Sequence, residues 1–133
     1  MTRLEDALIA RSVMKEANDC SVLALAMSCL TTYHSAHTAL KIAGRRDRHG
    51  VFPEHIRHAT RTLGHTFGPM LRPKQSNGSK YTPKTLAKAY PKGRYLAFSR
   101  DHVFALIDGK VQDWHEGRRY HIINVYQLKE KTT

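Results

Sequence analysis

Apolar residues crowd the stretch that follows Asn18-Asp19-Cys20-Ser21. Val22, Leu23, Leu25, Ala26, Met27, Cys29, Leu30 and Tyr33 leave only a narrow polar stripe at Ser21, Ser28 and Thr32. The spacing is helical, and an Asn or Asp just ahead of it suits a helix N-cap. So thin a polar stripe predicts a helix buried on most sides, the central helix of the molecule, continuing through Tyr33. A weaker helix is predicted over residues 2–14, opened by a Thr2/Glu5 capping box. Further short helices are predicted from Ser35 to Ala43 with Gly44 as stop, from Pro53 to about Leu63 with Gly64 as stop, and from Thr82-Pro83 to about Ala89. Residues 68–83 are rich in Gly, Pro, Ser, Asn and Lys and read as one long exposed loop.

The last third of the chain changes period. Residues 94–99 and 102–107 read as strands, and Asp108-Gly109 is the dipeptide that favours a two-residue type I′ hairpin turn. The return strand is Lys110 to Trp114, and a last strand is expected at roughly Tyr120 to Tyr126. Helices first and antiparallel strands afterwards predict an α+β fold, and 133 residues fit a single domain spanning 1–133.

Charge adds a second signal. Lys and Arg number 22 against 11 acids, a formal net charge of +11. The excess is uneven, for no acid occurs between His55 and Arg100 while ten basic residues do. Such a field steers polyanions toward a surface, although a solvated basic surface that only keeps a protein soluble has the same composition. The candidate basic binding residues are Arg45, Arg46 and Arg48, Lys84 and Lys88, and Arg118 and Arg119. An acidic protein or a nucleic acid is the partner class they fit, yet no zinc finger or RNA-recognition signature accompanies them. No apolar run is long enough to span a membrane, and Met1-Thr2-Arg3-Leu4-Glu5-Asp6 has no signal-peptide pattern, so a cytoplasmic location is expected.

The two cysteines, nine positions apart on one predicted helix, would lie on opposite faces about 13.5 Å apart along the axis. A disulfide needs Cα atoms within about 7 Å, so free thiols are expected. Cys20 sits where free N–H groups and the helix dipole favour an anion. Alone it is a weak signal, because cysteine is also a common small core residue. The hairpin supplies partners. With Asp108-Gly109 as the loop, Phe104 opposes Asp113 and His102 opposes His115, which makes Asp113 a diagonal neighbour of His102 on one face, about 7–8 Å away between Cα atoms. A slip of one residue would send the carboxylate to the other face. Trp114, next in sequence, is placed either to wall the pair off from water or simply to pack.

Asn18-Asp19-Cys20 opening a buried helix, followed by His102-Val103-Phe104-Ala105-Leu106-Ile107-Asp108-Gly109 and then Asp113, resembles the papain-like cysteine peptidases, in particular the compact forms of bacteria and tailed phages. The resemblance covers roughly residues 16–126. It implies a papain-like fold and acyl transfer, with Cys20 as nucleophile, His102 as proton shuttle and Asp113 as the group that fixes the His tautomer. A protein or peptide substrate, acidic by charge complementarity, is implied as well, with the host cytoplasm as location for a phage protein. One departure stands out. The family carries a Gln a few residues before the Cys to line the oxyanion hole, whereas Met14 lies six residues before Cys20. Asn18 is then the nearest amide donor, with Asp19 as a competitor or a mere helix cap.

His34/His37 and His55/His58 have the i, i+3 spacing of paired ligands but no accompanying Cys- or carboxylate-rich motif, so neither metal nor cofactor is expected. The rival to a peptidase or isopeptidase is an inactive module of the same fold that binds through its basic surface. A structural component of a larger assembly is a third possibility. Deamidation and acyl transfer would use the same machinery and differ only in the acceptor.

Overall fold

The computed structural model describes residues 2–50, 53–100, 102–114 and 120–130. The elements run α1 (Arg3–Val13), α2 (Cys20–Ser28), α3 (Tyr33–Ala43), α4 (Pro53–Thr62), β1 (His65–Leu71), α5 (Pro83–Ala89), β2 (Arg94–Phe98), β3 (Val103–Ile107), β4 (Lys110–Gln112) and β5 (Asn124–Glu130). The strands form one antiparallel sheet in the order β1-β5-β2-β3-β4. The fold is α+β, with N-terminal helices packed on a C-terminal five-strand antiparallel sheet. No helix among the described residues is long and apolar enough to cross a membrane.

Strand alternation sorts the sheet into two covered faces. Leu96, Val103, Ala105 and Leu128 point toward the helical layer, where they meet Val22, Leu23, Leu25, Met27, Tyr33 and Leu40. Ala97, Phe104, Leu106 and Val125 point the other way and pack with Leu86 of α5 and with Ile122. The predicted central helix is α2, every residue of which from Ser21 to Ser28 is buried.

It ends sooner than the apolar period implies. Leu30 adopts a left-handed backbone (φ 54°), its N–H returns to Met27 O, and the Thr31 N–H returns to Ala26 O. These are the two bonds of a Schellman stop, formed here on a leucine. Tyr33 therefore opens α3 instead of extending α2. α3 ends on the same motif at Gly44 (φ 125°), where Arg45 N–H reaches Leu40 O.

Three other expectations are corrected. The stretch from 68 onward is not all loop, because β1 runs through Leu71 despite Gly68 and Pro69. A one-residue bulge between Phe67 and Met70 lets that pair sit in an edge strand. The return strand stops at Gln112, short of Trp114. The last strand lies four residues later than expected, because Ile122 N–H bonds Tyr81 O outside the sheet.

Candidate active site

Cys20 is the first residue of α2. The N–H groups of a helix's first turn have no intrahelical acceptor, so those of Cys20 and Ser21 are left without a backbone acceptor among the described residues, while Asp19 O already accepts from Val22 and Leu23. The segment ahead of the cysteine is held from both sides. Asp19, expected as a capping side chain, makes no cap bond. It is fully buried, accepts two hydrogen bonds from Arg11 Nε (2.9 and 2.8 Å) and one from Tyr33 Oη (2.6 Å). Burial and that bond push the Tyr33 phenol well above its ordinary value.

Glu16 is the second anchor. Its carboxylate accepts from Arg45 (2.9 and 3.2 Å) and from the Arg48 N–H (2.9 Å), and its Oε2 lies 2.5 Å from His37 Nε2. Burial alone would raise Glu16, but the bonds from Arg45 and His37 and the guanidinium charge outweigh it and hold the acid at about 2. Arg45 is thus no part of a binding surface. The Schellman turn at Gly44 directs it inward, and it is 3% exposed.

His102 stands just ahead of β3. Ser99 donates both its backbone N–H (2.8 Å) and its hydroxyl (3.1 Å) to His102 O, which fixes the backbone at the turn between β2 and β3. The hairpin register is the expected one, with Ile107 opposite Lys110 and Leu106 opposite Val111. Asp108 and Gly109 both have positive φ (48° and 77°), as a type I′ turn requires. Beyond the ladder, Asp113 Oδ2 comes within 2.5 Å of His102 Nε2, and its Oδ1 accepts from the Trp114 N–H (2.8 Å). His115, expected opposite His102, lies outside the described residues.

Three elements thus converge. Burial lowers the His102 pKa, but the hydrogen bond to Asp113, the nearby Cys20 thiol and the charge of both groups raise it to about 9. With Nε2 committed to Asp113, Nδ1 is the ring nitrogen left for sulfur. Tyr120 stacks on the imidazole at 4.4 Å, and Trp114 meets it edge-on at 5.5 Å. Arg11 in turn lies over Trp114, 4.5 Å from the ring centroid, so Arg11 bridges the Asp19 anchor to the aromatic wall. The group opens onto a cleft of about 250 Å³ lined by Cys20, Ser21, Gly50, Pro53, Ile56, Phe98, Ser99, Arg100, His102 and Val103.

The other candidates are not gathered there. Asn18 is exposed, has φ 52°, and donates its amide to Arg48 O (3.1 Å); it does not line the cleft. Arg46 and Arg48 are exposed in the loop after α3, whereas Lys84 and Lys88 are exposed on α5, across the sheet. Arg118 and Arg119 lie outside the described residues. His37, Glu16 and Asp47 place ligand-type atoms within 4.8 Å of one another, but Arg45 already occupies Glu16, and Lys41 lies 3.7 Å from Asp47. Cys29 is buried, and burial pushes its thiol up to about 11.

Sequence reading missed Arg11, Glu16, Tyr33 and Arg45 as positioning residues. The available hint was that an acid-poor chain places two carboxylates within four residues of its best nucleophile. Comparison with family models, with curated proteins and with solved structures found no match for this chain.

Proposed function

We propose that the protein is a cysteine hydrolase with a papain-like fold, in which Cys20 attacks the carbonyl carbon of a protein or peptide amide. The observation that carries this reading is the imidazole of His102, bonded to the Asp113 carboxylate and close enough to the Cys20 thiol to feel its charge, at the wall of an open cleft that Cys20 and His102 both line. An imidazolium beside sulfur is the partner that a reactive thiolate requires.

In the first step the sulfur adds to the carbonyl, the C–N bond breaks, and His102 gives its proton to the leaving amine. A thioester remains on Cys20. Water then attacks that thioester, His102 takes the water's proton, and the acid departs as sulfur leaves. The free Cys20 N–H at the first turn of α2 supports the developing oxyanion. A side-chain amide as second donor has no support, since none lines the cleft. That favours a second reading, in which the thiol is reactive but turnover is slow and the cleft serves to hold a ligand.

Alkylation by iodoacetamide at neutral pH, followed by peptide mass mapping, tests the proposal. Rapid modification of Cys20 that His102→Ala suppresses is expected. Equal rates in the two proteins would overturn the hydrolase reading. Rapid modification with no cleavage across an acidic peptide library would leave the slower, ligand-holding reading in its place.

A further inference from the structure

Away from the thiol cleft, the two ends of β1 carry cations that no acid among the described residues pairs with. At one end, Arg57 and Arg61, one turn apart on α4, line a cleft of about 190 Å³ together with Thr66, Phe67 and Gly68. Arg57 lies over the Phe67 ring, 5.6 Å from its centroid, and that ring also stacks on Tyr126 at 4.7 Å. At the other end, Arg72, Lys74 and Lys80 line a second cleft of about 330 Å³. All five cations are exposed, and none joins an ion pair among the described residues. No acid lines either cleft. At about 3.4 Å per residue, the two sites lie roughly 17 Å apart along the strand.

We infer that this edge binds the phosphodiester backbone of a nucleic acid, with phosphates seated in both clefts. The alternative polyanion, an acidic peptide, would gain most by adding a strand to the free edge of β1. Pro69 has no N–H to offer such a strand, and the bulge between Phe67 and Met70 breaks the register it would need. A phosphate chain needs no backbone ladder. It needs spaced cations, and guanidinium pairs suit phosphate oxygens particularly well. Neither cleft shares a lining residue with the thiol cleft, so binding here is independent of the proposed chemistry at Cys20.

Fluorescence anisotropy with the full chain tests this, using a labelled oligothymidylate of about 20 nucleotides and a duplex of similar length as the two probes. Five phosphate contacts give a slope of log K against log salt of about −3.5 for a single strand, or about −4.5 for a duplex. The single-strand affinity then falls about 10²-fold between roughly 50 and 200 mM salt. The probe that binds with its own slope identifies which form is held. R57A/R61A and R72A/K74A/K80A should each flatten the single-strand slope, by about 1.4 and about 2.1 respectively, while K84A/K88A across the sheet should leave it unchanged. Equal effects of all three variants would overturn the proposal, as would absence of binding to both probes. Displacement of the probe by polyglutamate at matched charge, as readily as by unlabelled oligonucleotide, would also overturn it.

Discussion

Two imidazoles in this protein each touch a buried carboxylate at 2.5 Å, and they are built for different ends. His37 meets Glu16 inside a closed group in which Arg45 supplies two further bonds and the Arg48 N–H another. His102 meets Asp113 with a thiol on its other side and a cleft in front. A His–carboxylate contact is therefore no mark of chemistry in itself. The third member decides: a guanidinium satisfies the acid and closes the group, whereas a thiol at a helix start leaves it poised against something that enters from outside.

The sharpest way to break this contrast is to compare the two thiols. At pH 7 a thiol near 11 is about 10⁻⁴ ionised, against a few per cent for an ordinary exposed one, so iodoacetamide should modify Cys20 at least about 10²-fold faster than Cys29. Similar rates would remove any distinction between the imidazolium side of the molecule and its core. The closed group should answer in stability instead. Arg45→Met leaves the buried Glu16 carboxylate without its guanidinium, still held by His37 and the Arg48 N–H, and should cost about 3 kcal/mol in urea unfolding, with the far-UV spectrum of the folded state unchanged. Because the Glu16 pKa is depressed from 4.5 to about 2, its stabilising share is complete above pH 4.5 and disappears as pH falls through 2. Glu16→Gln should flatten that acid limb, and a limb that persists unaltered would place the acid sensitivity elsewhere.

Asp113→Ala removes a charge-assisted bond worth about 1.5–3 kcal/mol to the imidazolium, so Cys20 alkylation should slow about 10- to 10²-fold. Glu16→Gln should leave that rate within about twofold if the two groups act separately. The pH dependence on the His102 side has the opposite sign to that of Glu16. Its pKa is raised from 6.5 to about 9, so its share of stability is complete below 6.5 and is lost as pH rises through 9. His102→Gln should be less stable than the parent at pH 6, with the gap closing by about pH 10; a constant gap would mean that packing against Tyr120 and Trp114, and not charge, sets the value of this side chain. The smallest effect is expected at Arg46→Ala. That side chain is exposed and should change stability by no more than about 0.5 kcal/mol, giving the baseline for the rest.

The pairing of His102 with Asp113 was legible because a two-residue turn fixes hairpin register, and register fixes which side chains share a face. Cys20 was legible because the apolar period marks where a buried helix starts, even though the cap bond expected of Asp19 does not form. What escaped is non-local. Arg45 reads as one more cation in a basic loop, and only the turn at Gly44 sends it inward to a carboxylate 29 residues earlier. Tyr33 continues the apolar period of α2, and nothing short of the backbone at Leu30 shows that it belongs to the next helix, where its hydroxyl meets Asp19. β1 was hidden by Gly68 and Pro69, residues that usually end strands and here mark a bulge.

Leu30 carries one more implication. It is 47% exposed, yet its backbone is wound in the hand that costs an L-residue about 1–2 kcal/mol and glycine nearly nothing. The molecule thus holds a reserve of thermal tolerance at the far end of α2 from its thiol, where an engineer can harden the scaffold while leaving the cleft alone.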